Sequence, residues 1–524
     1  MRVLFFVREL PYVQRIYAPV LAELVGRGHE VHLAFTKQTR WDRIQRGLVG
    51  VEQPGITYGY APHRRHADGW RRVAWLVRAL ADLARYTHPR YDSAPRLRGR
   101  VTQKVLGRME KATNLEPIGR SLALRVAHRL AASTDAALST RVIRAAARLE
   151  EAIPTSPEID RFVRAQAPDV VLVTPVVKYA SDEVEYLKSA RRLGIPAATC
   201  VASWDNLTNK GLLKFDPERV FVWNEAQRKE AIELHGISPE HAVATGGQLF
   251  DKWFEQTPSR SREDFMAEAG LDPGEPYVLY LCSSPFVVNR SQAEVEFVLR
   301  LLRSLRDSDD DRLRRAGLMV RPYPRGSDWK KVDLAPYGNA VRWPPRHAHA
   351  VTVEALADFY DSIAHSAAVV GINTTAMIEA AIVGKSVLTI LEPEFAQEGT
   401  LHFHHLLEEN GGFLHAASSI EEHLAQLRRV LGEGEEDAAR RRRFVESFVR
   451  PHGLDKPATP IFADALEELA GLPVQASPRA GALRALLSLE AAACSLSIIA
   501  QPVLRPLRMR LLGAARSRGL VFSR

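Results

Sequence analysis

Cysteine is scarce in this chain. Cys200, Cys282 and Cys494 are the only three in 524 residues, too few and too scattered for a disulfide framework or a zinc site. A reducing, cytoplasmic setting is the expectation. Long apolar runs are missing too: none reaches the ~18–20 residues that cross a bilayer as a helix. The opening Met1-Arg-Val-Leu-Phe-Phe-Val is short, and charge returns at Arg8, so no signal peptide is expected. No repeat of solenoid period is visible. The last fifty residues lack lysine, and their single aromatic, Phe522, leaves no stacking platform for nucleic acid.

What is present suits a soluble globular protein of two domains of roughly 200 residues each. Net charge is +9. The tail 473–524 holds eight Arg and one acid, Glu490, and so carries +7, leaving +2 on the rest. A positive tail fits an anionic surface. Residues 482–500 are helical and apolar, interrupted by Arg484 and Glu490, and 507–519 resume as a basic apolar segment. Two readings stand: an amphipathic helix packed on the body, or an interfacial anchor on an anionic membrane.

Apolar runs and turn signals predict an α/β fold. The chain opens as strand Val3–Val7, helix Tyr12–Gly26 and strand Glu30–Phe35. Residues 68–153 change to an Arg/Ala/Leu-rich helical pattern, an elaboration of the first domain. Strands resume at Val170–Val173, Ala197–Val201 and Val220–Trp223. After Thr245-Gly-Gly a second α/β series begins, with strands at Tyr277–Cys282, Leu318–Arg321 and Ala340–Trp343. The expected division is an N-terminal Rossmann-like domain over 1–255, a C-terminal one over 256–455, a closing helix over 456–472 and the basic tail 473–524.

The most informative stretch follows an apolar run, Ala367–Val370, that breaks at Gly371. Asn373, Thr374 and Thr375 then precede a short periodic helix that stops at Gly384, and a second apolar run follows. Hydroxyls and free N–H groups after a buried strand suit a phosphate. Leu281-Cys-Ser-Ser-Pro285 offers Ser283 and Ser284 after another strand. Met319-Val-Arg-Pro-Tyr-Pro324 ends a third with Arg321, whose planar fork suits phosphate oxygens. Ser203-Trp-Asp-Asn-Leu-Thr-Asn-Lys-Gly211 packs Trp204, Asp205 and Lys210 into one loop; Asp205 could deprotonate a hydroxyl. Glu9, just after the first strand, is the rival base, with Arg8 and Arg15 close in sequence to hold an anion. Asp309-Asp-Asp311 reads as a solvated loop, and His402, His404 and His405 as lining or packed side chains, so no metal is expected.

These features together resemble the two-domain GT-B glycosyltransferases over about residues 1–470, leaving aside 68–153. The carrying segments are Met1–Val7 with Arg27-Gly-His-Glu-Val31, Thr245-Gly-Gly, Asp358–Gly371 and Asn373–Lys385. Related architectures include nucleotide-sugar 2-epimerases and polyol-phosphate transferases of the CDP-glycerol type. The resemblance implies a nucleotide-sugar donor in the second domain, as a substrate rather than a cofactor. Thr374 and Thr375 would take its diphosphate and Glu379 its ribose, with Asn373, Ser283, Ser284, Arg321 and His404 around them. A glycan or lipid-linked acceptor of the cell envelope would meet Arg8, Arg15, Trp204 and Lys210, with Asp205 or Glu9 as base. Tyr323 stands where cytidine-dependent relatives carry His. Retaining members carry a second Glu eight positions before the one matched by Glu379; Gly371 stands there, which the resemblance takes to imply an inverting, metal-independent transfer.

Overall fold

The computed structural model describes residues 1–37, 44, 51, 53–62, 69–111, 117–284, 292–323, 328–345, 352–392, 395, 400–433, 437–476 and 481–495. Two all-parallel sheets organise it. The first contains β1 (Arg2–Val7), β2 (Glu30–Phe35), β3 (Ile56–Tyr60), β4 (Val170–Thr174), β5 (Ala197–Cys200), β6 (Arg219–Val222) and β7 (Ala242–Ala244), in the order β3-β2-β1-β4-β5-β6-β7. The second contains β8 (Tyr277–Leu281), β9 (Gly317–Arg321), β10 (Ala340–Arg342), β11 (Ala368–Gly371), β12 (Val387–Ile390) and β13 (His415–Ala417), in the order β10-β9-β8-β11-β12-β13. Helices cover both faces of each sheet, so the central strands are buried on both sides and read as continuous apolar runs.

The expected opening helix is broken into Leu10–Tyr12, a π turn over Val13–Tyr17 and Ala18–Gly26. Pro11 starts the first piece, and the π turn places Arg15 on the exposed side. Strand β3 was not expected; its half-exposed edge position gives it no buried apolar run.

The region between β3 and β4 is helical, with helices Trp70–Thr87, Pro95–Lys111, Pro117–Ala131 and Ala136–Ala152. Buried ion pairs fasten it to the first sheet's helices. Arg78 bonds Glu150 at 2.7 and 2.8 Å and Glu185 at 2.5 Å, and Lys188 reaches Glu150 at 2.9 Å.

After the second sheet the chain returns to the first. Helix Ala458–Ala470 lays Phe462, Leu466 and Leu469 against Val20, Leu21 and Leu24. Arg27 pairs with Asp464 at 2.6 Å on its polar side. Asp251 fixes the helix start by accepting the Ala458 and Thr459 N–H groups at 3.0 and 2.7 Å. Gly246, at φ +91, passes so close that a Cβ there would meet the Ala458 Cβ at 2.6 Å. Two doubly wound domains in series, tied by a final helix that crosses back, form the GT-B arrangement.

Of the tail, residues 481–495 form a helix packed on the helical elaboration; 477–480 and 496–524, including the expected basic segment 507–519, lie outside the described residues. The Gly69 N–H donates to Ser495 Oγ at 3.0 Å, Arg484 Nε donates to the Ala152 carbonyl at 3.1 Å, and Leu487 packs in the Trp70 cluster. Leu486 and Leu489 stay 64% and 71% exposed on the outer face. Among the described residues no helix is long and apolar enough to cross a membrane.

Candidate functional site

In a doubly wound sheet, ligands bind outside the carboxyl ends of the strands, where strand order reverses. Strand order here reverses between β1 and β4 in the first sheet and between β8 and β11 in the second. The residues that follow those four strands therefore define two crevices.

Arg8 and Glu9 leave β1, Lys37 leaves β2, and Lys178 and Glu183 follow β4. Glu9 Oε1 lies 3.2 Å from Lys37 Nζ, 3.5 Å from Arg8 Nε and 3.7 Å from Lys178 Nζ. Burial pushes the Glu9 carboxyl up, but the Lys37 hydrogen bond and the charges of Lys178, Lys37 and Arg8 outweigh it and hold the group below its ordinary value. Glu183 is fully enclosed. Burial drives its pKa up to about 7, against the pull of Arg8 and Lys178. Its Oε2 accepts from Ser181 Oγ at 3.0 Å, and Arg8 approaches its Oε1 at 3.4 Å. Lys178 is pushed down to about 8 by burial and by Arg8, opposed by Glu183 and Glu9. Sequence reasoning found Arg8 and Glu9 and missed Lys37, Lys178 and Glu183. Lys37 lies just beyond β2, whose apolar run is plain in the sequence; Lys178 and Glu183 reach the crevice only through the strand order.

The second crevice gathers Ser283 and Ser284 beyond β8 with Asn373, Thr374 and Thr375 beyond β11. The Asn373 N–H donates to Ser283 Oγ at 3.3 Å, and Asn373 Nδ2 donates to Thr400 Oγ1 at 3.1 Å. The Ser283 N–H is itself held by Glu294 at 2.8 Å. Ser283 and Asn373 are buried and knit the crevice floor, whereas Ser284, Thr374 and Thr375 are half-exposed. Thr375 opens the helix Ala376–Ile382 without a side-chain capping bond. Its hydroxyl is thus not used to end the helix, contrary to a simple capping role.

The domains meet across these crevices. Glu379, buried on the helix Ala376–Ile382, has its pKa raised by burial, while the charges of Arg15 and Lys252 pull it down. Arg15 belongs to the π turn of the first domain, so the structure brings the expected ribose ligand of one domain close to the expected acceptor ligand of the other.

Arg321 ends β9, one strand away from the reversal; its guanidinium pairs with Asp358 at 2.9 Å and stacks 5.0 Å from the Phe359 ring centroid. Trp204 is buried, its ring perpendicular to that of His402 with centroids 4.5 Å apart. Asp205 and Lys210 form a pair at 2.9 Å. Burial would raise the Asp205 carboxyl, but Lys210 and His402 hold it at about 2. His402 itself is driven down to about 4 by burial, so its ring is neutral.

His404 is half-exposed on the turn Leu401–Leu406, which Thr400 anchors to Asn373. Its neighbours face different partners: His402 Nδ1 lies 3.3 Å from Thr208 Oγ1, and His405 Nε2 lies 2.7 Å from Glu230. Asp309 and Asp310 pair with Arg428 at 2.8 and 3.0 Å. Among the described residues no group of three His, Cys, Asp or Glu side chains could hold a metal ion.

No protein-family model and no curated protein matches the sequence. Solved structures align along most of the chain at low identity. A UDP-GlcNAc 2-epimerase from Neisseria meningitidis bound to UDP-GlcNAc is 12% identical, covering 89% of this chain and 100% of that one, with a TM-score of 0.49. A glycosyltransferase from Rickettsia africae is 10% identical, covering 90% and 98%, with a TM-score of 0.49. WaaG, a glycosyltransferase involved in lipopolysaccharide biosynthesis, is 13% identical, covering 90% and 100%, with a TM-score of 0.43. The fold assignment stands on strand order and the crossing helix.

Proposed function

We propose that this chain is a glycosyltransferase that moves a sugar from a nucleotide-sugar donor to a hydroxyl of a cell-envelope glycan or lipid-linked acceptor. The observation that carries the proposal is the pair of strand-reversal crevices with contrasting linings. One is rich in hydroxyls and amides, the other in charge, and Arg15 and Glu379 approach each other between them. Ser284, Thr374 and Thr375 take the donor diphosphate, and Glu379 the ribose hydroxyls. Glu9 is taken as the carboxylate that accepts the acceptor proton because it follows β1 at the reversal of strand order, whereas Asp205 lies in the loop after β5. The acceptor oxygen attacks the anomeric carbon as its proton passes to Glu9. The bond from that carbon to the diphosphate oxygen breaks, and the diphosphate leaves with the electron pair. Configuration inverts.

One observation favours a second reading, epimerisation of the nucleotide sugar itself. Glu183 near 7 and Lys178 near 8 both exchange protons around neutral pH, which suits proton removal from a sugar carbon. A single assay separates the readings: donor sugars incubated in D2O with and without acceptor glycans, followed by NMR. Transfer requires acceptor and falls at least ~100-fold in Glu9→Gln. A new, deuterated sugar formed from donor alone would replace transfer with epimerisation. No turnover of any donor under either condition would sink both.

A further inference from the structure

Lys252 stands where the two domains are joined. It lies on helix Asp251–Glu255, between two residues that are held fast. Asp251 accepts the Ala458 and Thr459 N–H groups of the crossing helix and pairs with Arg450 at 3.1 Å. Trp253 is buried, its ring centroid 5.7 Å from those of both Phe359 and Tyr360 in the second domain. With both neighbours fixed, the backbone at Lys252 has little freedom.

This short segment touches both domains. Helix Asp251–Glu255 packs against helix Ala376–Ile382, which carries Glu379. The preceding turn Gln248–Phe250 packs against the π turn Val13–Tyr17, which carries Arg15. Lys252 is half-buried, Arg15 exposed and Glu379 buried. Burial and the charge of Arg15 depress the Lys252 ammonium, against the pull of Glu379. The three groups thus feel one another. Among the described residues, however, none of them makes an ion pair or a side-chain hydrogen bond. Two cations beside one buried carboxylate leave positive charge uncompensated. Gln248, on the same segment, is buried with its side-chain amide nitrogen lacking an acceptor. Unmatched donors and charge in a partly buried place favour an anionic ligand.

We propose that Lys252 binds the diphosphate of the donor and makes the site prefer a nucleoside diphosphate to a monophosphate. This rests on reading the second crevice as the donor site, with Glu379 on the ribose and Thr374 and Thr375 on phosphate. It goes further in assigning charge recognition of the diphosphate to a cation on the segment that joins the domains. A diphosphate carries more negative charge than a monophosphate and extends further from the ribose. An ammonium, as a compact point charge on a flexible stem, suits its outer oxygens. The same contact favours the diphosphate as it leaves with the bonding electron pair.

Titration calorimetry tests this with the parent, Lys252→Gln and Lys252→Arg, using UDP, GDP, CDP and dTDP, each beside its monophosphate. The parent binds one diphosphate more tightly than the matching monophosphate. Lys252→Gln weakens that diphosphate at least about tenfold, the loss expected from one charge-assisted hydrogen bond, and leaves the monophosphate unchanged. Lys252→Arg keeps part of the preference. Unchanged monophosphate binding also shows that the variant is folded. A lysine that serves only to neutralise Glu379 behaves differently: its loss weakens both nucleotides, because the ribose is common to them. Equal loss for the two nucleotides, or no loss, overturns the proposal. A parent that binds both forms equally well overturns it too and leaves the donor crevice standing. Binding of no nucleotide by the parent overturns the donor reading along with it.

Discussion

Glu9 and Glu183 lie in one crevice with opposite protonation tendencies. Cations hold Glu9 ionised, while burial keeps Glu183 protonated up to about 7. The consequence for stability has a definite sign. A carboxyl whose folded pKa is raised favours folding most below its unfolded value, near 4.5, and that contribution is lost as pH rises through about 7. Glu183→Gln removes the titration. Denaturant unfolding at pH 5 and pH 8 is expected to show the parent losing stability relative to the variant as pH rises, by at most about 3 kcal/mol. An unchanged difference between the two proteins at both values would contradict the buried, protonated Glu183. Single residues were partly legible. Thr374, Thr375 and Glu379 stood out because they follow a plain strand–turn signal. Glu183 and Lys178 did not, because their importance comes from the reversal of strand order, which no local pattern encodes. The burial of Trp204 and the pairing of Arg321 with Asp358 were not legible either, because both depend on neighbours remote in sequence.

At the scale of elements, the helical elaboration supports the first crevice rather than merely decorating it. Asp82, on helix Trp70–Thr87, accepts the Ala180 N–H at 2.6 Å and the Leu212 N–H at 2.7 Å, and pairs with Lys214 at 2.8 Å. Ala180 has φ +50, a left-handed conformation costly for a residue with a Cβ. Asp82 thus pins the turn that carries Lys178. Asp82→Ala leaves Lys214 buried without its partner and is expected to cost roughly 3–5 kcal/mol in denaturant unfolding. A loss below about 1 kcal/mol would show that the clamp is not structural. Helices of the elaboration were readable from their Arg/Ala/Leu periodicity, and the central strands from their apolar runs. Edge strand β3 and the π turn were not, since one buries too little and the other departs from a regular helix by a single widened turn.

Across the whole molecule, charge is segregated. Residues 69–152 hold 17 basic and seven acidic residues, a net +10, while the tail carries +7. The near balance of residues 1–472 therefore hides a basic elaboration and an acidic remainder of −8. The tail helix 481–495 packs on that same elaboration; it holds Arg484 and Glu490 and so carries no net charge, and the tail's other seven Arg lie outside the described residues. The second domain supplies the other half of the account, a hydroxyl-lined crevice opposite. Its role as a nucleotide site is the central claim. Thermal melting of the parent and of Glu379→Ala with UDP, GDP, CMP, CDP and dTDP tests it most directly. One nucleotide is expected to raise the parent's melting temperature, as ligand binding to the folded state must, and to lose most of that effect in Glu379→Ala. No shift with any nucleotide, or an equal shift in both proteins, would contradict it.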